Sequence, residues 1–131
     1  MRLLLDTHIA LWAIVGDQRL PTRAADLIAD PSNMIFVSAA SIWEITIKHA
    51  LARGRLNDMP VSGQAMLTHC HGAGYLLLAV SAEHAAAVAA LPDLHRDPFD
   101  RIIVAQALWE PLRLLTHDPM VKSYGDSFLL F

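Results

Sequence analysis

Residues 95–108 read HRDPFDRIIVAQAL, and this stretch decides how the rest of the chain is read. Asp97 can accept hydrogen bonds from the first free backbone N–H groups of a helix, Pro98 suits the first helical position, and Asp100 falls in the first turn. Phe99, Ile102, Ile103, Ala105, Gln106 and Ala107 then follow with apolar positions too dense for an exposed helix. The segment is therefore predicted to lie against a sheet with only its N-terminal end open, and that end carries an acid. The acid serves chemistry only if other groups converge on it.

Working outward, residues 2–5 form a short apolar run that stops at Asp6-Thr7, and a helical pattern follows through Leu11, Trp12 and Val15 to Gly16-Asp17. Pro21 opens a second helix over residues 22–29. Residues 34–37 read as a second strand, and Ser38 is a good N-cap for a helix over 39–52 that Gly54 stops. After a connection over 56–60, residues 61–72 suggest a weaker helix, 75–80 a third strand, and 82–90 a helix capped by Ser81. The opening helix ends near Glu110-Pro111. Residues 112–115 make a fourth strand, Asp118-Pro119 starts a short helix ending at Gly125, and residues 128–131 suit a fifth, edge strand. Strands alternating with helices predict an α/β fold with a parallel sheet and helices on its faces.

Composition bounds the reading. The 131 residues are expected to form one domain, residues 1–131, able to bury about two thirds of its unfolded surface. An apolar fraction of 54% and a mean hydropathy of +0.37 predict apolar surface left over for a partner. No apolar run approaches the roughly 20 residues that span a bilayer, and MRLLLD meets an acid too early for a signal peptide, so a cytoplasmic protein without membrane contact is expected. One cysteine, Cys70, allows no internal disulfide and fits a reducing compartment. A net charge of −3 argues against a broadly basic nucleic-acid surface, so any phosphate contact must be local or carried by bound metal.

Ligands of an open parallel sheet bind beyond the carboxyl ends of its strands. Asp6 ends the first strand, Glu44 lies near the start of the helix after the second, Asp100 opens a helix and Asp118 follows the fourth strand. Carboxylates converging on one edge repel by several kcal/mol at an effective dielectric near 20, unless some are protonated or cations sit between them. Mg²⁺ or Mn²⁺ answers this economically, since hard divalent ions take oxygen ligands and need one or two carboxylates each. Such a site suits phosphodiester hydrolysis. Against it, Asp6, Asp97, Asp100 and Asp118 all suit helix starts, where an acid contributes about 0.3 to 1 kcal/mol with no catalytic role. Glu44 has a simple partner in Lys48 four residues on, yet Ile42, Trp43, Ile45 and Ile47 give it an apolar setting unusual for a surface glutamate.

Asp6-Thr7-His8 after the first strand, VSAASIWEI from residue 37, HRDPFDRIIVAQA and LLTHD resemble, in order, the PIN-domain ribonucleases, and specifically the VapC-like toxins of bacterial toxin–antitoxin pairs. The resemblance runs from Met1 to about Tyr124. It implies a three-layer α/β/α domain with a mainly parallel sheet of four or five strands, and a Mg²⁺- or Mn²⁺-dependent endoribonuclease leaving a 3′-hydroxyl and a 5′-phosphate. By the same resemblance Asp6, Glu44 and Asp100 match the main acids, Asp118 the more variable fourth, and Thr7 a hydroxyl residue that orients the site. Asp97 reads as the structural cap. Trp109 and Pro111 depart from the family, which has smaller residues before that strand. The resemblance further implies an RNA substrate, a cognate antitoxin covering the acidic groove, and a homodimer. Trp12 and Trp43 on the early helices are candidates for these protein contacts, and each suits a buried core tryptophan at least as well.

Among the cations, Lys48, Arg53, Arg55, Arg96, Arg101, His117 and Lys122 are candidates to hold the substrate backbone, with Arg101 foremost because it follows Asp100. Each also has the plain reading of a solvated surface charge. His69-Cys70-His71 lacks the spacing of paired zinc ligands. The rival to an enzyme is a catalytically idle module that binds a protein or RNA through the same groove. An intact acid set disfavours it, because unpaired carboxylates are a liability. A phosphatase-like or DNA-directed metal hydrolase is a third reading.

Overall fold

The computed structural model describes residues 1–52, 59–92, 97–124 and 129–130. The expectations for Arg53, Gly54, Arg55, Arg96, Gly125, Phe128 and Phe131, and for the Lys122 side chain, lie outside what is described. The chain runs β1 (Arg2–Leu5), α1 (Thr7–Val15), α2 (Thr22–Ala29), β2 (Met34–Ser38), α3 (Ala39–Ala52), α4 (Gly63–Ala73), β3 (Leu76–Leu78), α5 (Ala82–Ala87) with a 3₁₀ turn Val88–Ala90, α6 (Pro98–Trp109), β4 (Arg113–Thr116), a 3₁₀ helix Pro119–Tyr124 and β5 (Leu129–Leu130).

The described strands form one sheet in the order β3-β2-β1-β4-β5, every pairing parallel. Strand alternation divides the core. Leu3 and Leu5 of β1, Ile35 and Val37 of β2 and Leu115 of β4 join Ile9, Trp12, Ile45, Met66 and Cys70 on the face covered by α1 to α4. Leu4, Leu114 and the partly buried Phe36 and Leu78 turn to the other face, against Ile103, Val104 and Ala107 of α6. Both faces of β1, β2 and β4 are covered, so these strands read as unbroken apolar runs. The chain winds outward from β1 to β3, then crosses back through α5 and α6 to β4 on β1's other side. The reversal opens a crevice at the carboxyl ends of β1 and β4.

Several elements differ in extent from expectation. The third strand is only Leu76–Leu78, because Ser81 and its capping box with His84 take the following backbone into α5. The helix expected over 82–90 tightens to 3₁₀ after Ala87. Helix α4 starts at Gly63, two residues later than expected, because Ser62 caps it, accepting from Ala65 N–H. Gly63 faces α3 directly. A Cβ there would run into Thr46 Oγ1 and lie 3.0 Å from Thr46 Cβ, so a side chain at this position would force Thr46 or the helices to shift.

Candidate active site

Asp6 sits one residue past β1 and caps α1. Its Oδ1 accepts the Ile9 N–H at 2.8 Å and its Oδ2 accepts from the Thr116 hydroxyl. Burial pushes the Asp6 carboxyl above its ordinary range, and the nearby Asp118 adds to this, while Thr116, the Ile9 N–H and His8 partly oppose it. Residue 6 thus spends its charge where solvation is poor.

Glu44 is the buried acid of the site, 3% exposed on the inner side of α3. Its carboxylate is held at both oxygens. Thr7 donates to Oε1 at 2.7 Å, and Lys48 Nζ, one turn along α3, lies 2.6 Å from Oε2. Because the Thr7 proton goes to Glu44, the 2.9 Å contact between Thr7 and buried Ser41 is donated by Ser41. Burial alone lowers the Lys48 pKa, but the bond to Glu44 and the charges of Asp97 and Asp100 outweigh it and hold the ammonium above the ordinary lysine range. The simple pairing of Glu44 with Lys48 is therefore present, inside the groove rather than on an open surface.

Helix α6 brings the remaining acids. Asp97 caps it, accepting from Phe99 N–H at 2.9 Å, and Asp100 follows in the first turn. Asp118 stands beyond β4, its Oδ1 accepting the Met120 N–H at 2.9 Å. Asp6, Glu44, Asp97, Asp100 and Asp118 line one groove of about 410 Å³, with Lys48, Arg19, His8 and His117. All four acids singled out from sequence thus meet at one edge. Among the described residues no three acids form a ready-made cation cage. The donors are nonetheless all hard oxygens, the set that suits a divalent cation retaining several waters and taking one or two carboxylates.

Two side chains fall elsewhere than expected. Arg101 lines a different cleft, its guanidinium donating to the Val88 and Pro92 carbonyls at 3.2 and 3.1 Å. One step along a helix turns a side chain by about 100°, which carries residue 101 away from the groove that Asp100 faces. Trp12, a candidate for an exposed contact, is 8% exposed in the core, where it meets the rings of His8 and His117. Trp43, by contrast, is 62% exposed. Residues missed from sequence are Arg19, which grips Asp17 and lies over the Trp12 ring at 5.2 Å, together with His8, Ser41 and Thr116. For Thr116 a signal existed in Thr116-His117-Asp118, since a hydroxyl two residues before an acid often accepts that residue's N–H.

The second cleft, about 600 Å³, lies across the same two helices and is apolar, lined by Ala39, Ala40 and Trp43 of α3, Phe99 and Ile102 of α6, and Val80 and Val88. The Trp43 and Phe99 rings meet edge-on at 5.1 Å.

Comparison with known proteins follows the same lines. The family model for the PIN domain matches residues 3–126. Ribonuclease VapC22 of Mycobacterium tuberculosis (strain ATCC 25618 / H37Rv) is 32% identical over 124 residues, covering 92% of this chain and 90% of that protein. The fold is similar to a chain of VapBC2 from Rickettsia felis bound to a promoter DNA fragment, with a TM-score of 0.68 at 18% identity, covering 100% of this chain and 98% of that one. It is also similar to VapC20 of Mycobacterium tuberculosis, a toxin cleaving the sarcin-ricin loop, with a TM-score of 0.65 at 18% identity and coverage of 94% and 95%.

Proposed function

The chain belongs to the PIN-domain family and is a VapC-type ribonuclease toxin of a toxin–antitoxin pair, and from that premise we propose that it hydrolyses RNA phosphodiester bonds with Mg²⁺ or Mn²⁺ held by Asp6, Glu44, Asp100 and Asp118. The observation that carries the proposal is the convergence of these four acids, drawn from four parts of the chain, on the crevice where the strand order reverses.

The chain's own groups do the holding. Thr7 and Lys48 fix the two oxygens of Glu44, and the Ile9 N–H and Thr116 fix those of Asp6, so the carboxylates meet the substrate already oriented. When bound, the divalent cation supplies an acidified water at neutral pH and charge neutralisation at the leaving oxygen. Lys48 and Arg19 supply positive charge along the groove, where an RNA backbone would otherwise face only acids. The structure's cations thus favour Lys48 over Arg101 as the substrate contact.

The reading includes two protein partners. A cognate antitoxin accords with the structural neighbours, which include toxin–antitoxin complexes, and the acidic groove is the surface a basic antitoxin side chain fits. A second copy of the chain fits the outer side of α3. Ala39, Trp43, Ala50 and Leu51 are exposed there, half-buried Ile47 continues the stripe, and none is charged. A two-fold contact sets each residue near the axis against its own copy, which an uncharged stripe tolerates.

The test is cleavage of total cellular RNA by the purified chain with Mg²⁺ or Mn²⁺ against a chelator, beside Asp100→Asn. Discrete fragments that need both the metal and Asp100 are expected. Folded, antitoxin-free protein that cleaves nothing across metals would leave the idle binding module as the better reading.

A further inference from the structure

Parallel pairing of β1 with β4 decides what the side chain of Thr116 can reach. Leu5 stands opposite Leu115, and the Asp6 N–H donates to the Leu115 carbonyl at 3.0 Å. Asp6 and Thr116 therefore emerge side by side at the crevice. Thr116 is fully buried, and its hydroxyl has one proton, which it donates to Asp6 Oδ2. The same oxygen accepts the Asp118 N–H at 3.1 Å. One hydroxyl thus touches the side chain of the first acid and the backbone of the fourth.

A strand end asks for none of this. Valine has the shape and β-branching of threonine and would pack in the same place, but it could neither give a proton to Asp6 nor receive one from residue 118. Backbone groups hold the other oxygens as well: Asp6 Oδ1 accepts the Ile9 N–H, and Asp118 Oδ1 accepts the Met120 N–H. A carboxylate offers about four acceptor positions, so these bonds fix the Asp6 carboxyl while leaving capacity for a cation.

We infer that Thr116 is a positioning residue of the hydrolytic site, tying Asp6 and Asp118 into one unit so that both carboxylates face the same cation in the groove. This rests on the metal-dependent reading above. It acts through other residues and touches no reacting atom. Sequence matching assigned the orienting role to Thr7, which serves Glu44. Thr116 does the corresponding work for the other pair of acids.

The experiment compares the full chain with Thr116→Val, Thr116→Ala and Thr116→Ser, reading Mn²⁺ binding by isothermal titration, cleavage rate on total RNA, and melting temperature in chelator. Removing an outer partner of a metal ligand typically costs about 10–100-fold in metal affinity or activity, and that loss is expected in both quantities for Val and Ala, with Ser close to wild type. Wild-type Mn²⁺ binding and cleavage in Val would overturn the inference. So would equal loss in Ser and Val, because shape rather than the hydroxyl would then be at stake. If Val fails to fold, the Ser and Ala pair decides. Wild-type chain that binds Mn²⁺ without cleaving RNA would defeat the ribonuclease reading alone, and the binding series would still judge Thr116. Wild-type chain that binds no Mn²⁺ would overturn both.

Discussion

Helices α3 and α6 each carry an acid and an aromatic ring at adjacent positions, Trp43-Glu44 and Phe99-Asp100, and the two pairs part company across the same ridge. The acids turn into a polar groove where hydroxyls, backbone N–H groups and Lys48 hold them. The rings turn into an apolar cleft and meet edge-on. One helical step, about 100°, separates a surface suited to hydrolysis from one suited to association. The groove is made of hydrogen bonds between distant elements. The cleft is made mostly of apolar side chains in contact with one another.

That division predicts variants with separable effects. Asp100→Asn is expected to lower RNA cleavage by about a hundredfold or more, on the scale of losing one preorganised group at a reacting centre, with the elution volume in gel filtration unchanged. A change in association would mean the two faces are not independent. Trp43→Glu is expected to weaken self-association on the order of thirtyfold, as for loss of a tryptophan anchor, measured by sedimentation over a concentration series, while Mn²⁺ binding holds. Wild-type chain that is monomeric throughout that series would remove the partner assigned to the outer stripe of α3. Thr7→Val should lower cleavage by about tenfold, because Glu44 loses one of its two holds. A wild-type rate would show that Lys48 alone suffices.

The smallest expected effect is on stability, and its sign follows from burial. The folded state raises the Asp6 pKa, so between the unfolded and folded values the native chain binds the extra proton. The group's penalty therefore grows as pH rises through that window and is complete above it. Asp6→Asn should melt higher than wild type at neutral pH in chelator, and the difference should shrink on acidification toward the ordinary carboxyl value of 3.8. A variant less stable at neutral pH would mean that the hydrogen bonds outweigh burial.

How far the sequence revealed this site depended on what kind of force placed each residue. Caps are local, and Asp6, Asp97, Ser62 and Ser81 hold helix starts with bonds spanning two or three residues. Glu44 was legible from its isoleucine and tryptophan neighbours, which mark a carboxylate drawn inward. Arg101 misled because proximity to Asp100 along the chain says nothing of direction around a helix. Trp12 and Trp43 look alike in sequence, both in apolar helical stretches, and only the packing of α1 under β1 and β4 tells core from surface. Ser41 depends on a partner far away in the chain and Thr116 on the register of parallel strands, information that local patterns do not carry, whereas Arg19 pairs with Asp17 only two residues before it.

Gly63 connects these threads from outside the groove. Helix α3 bears both Glu44 and Trp43, and α4 rests on it where a single hydrogen atom stands in place of a methyl group. Thr46 donates to the Ile42 carbonyl at 2.8 Å at that crossing, one turn from either residue's neighbours. Survivors selected from cells expressing this toxin should therefore include changes at Gly63 alongside the loss of its acids, a lesion in the scaffold that silences the poison without touching a single charge.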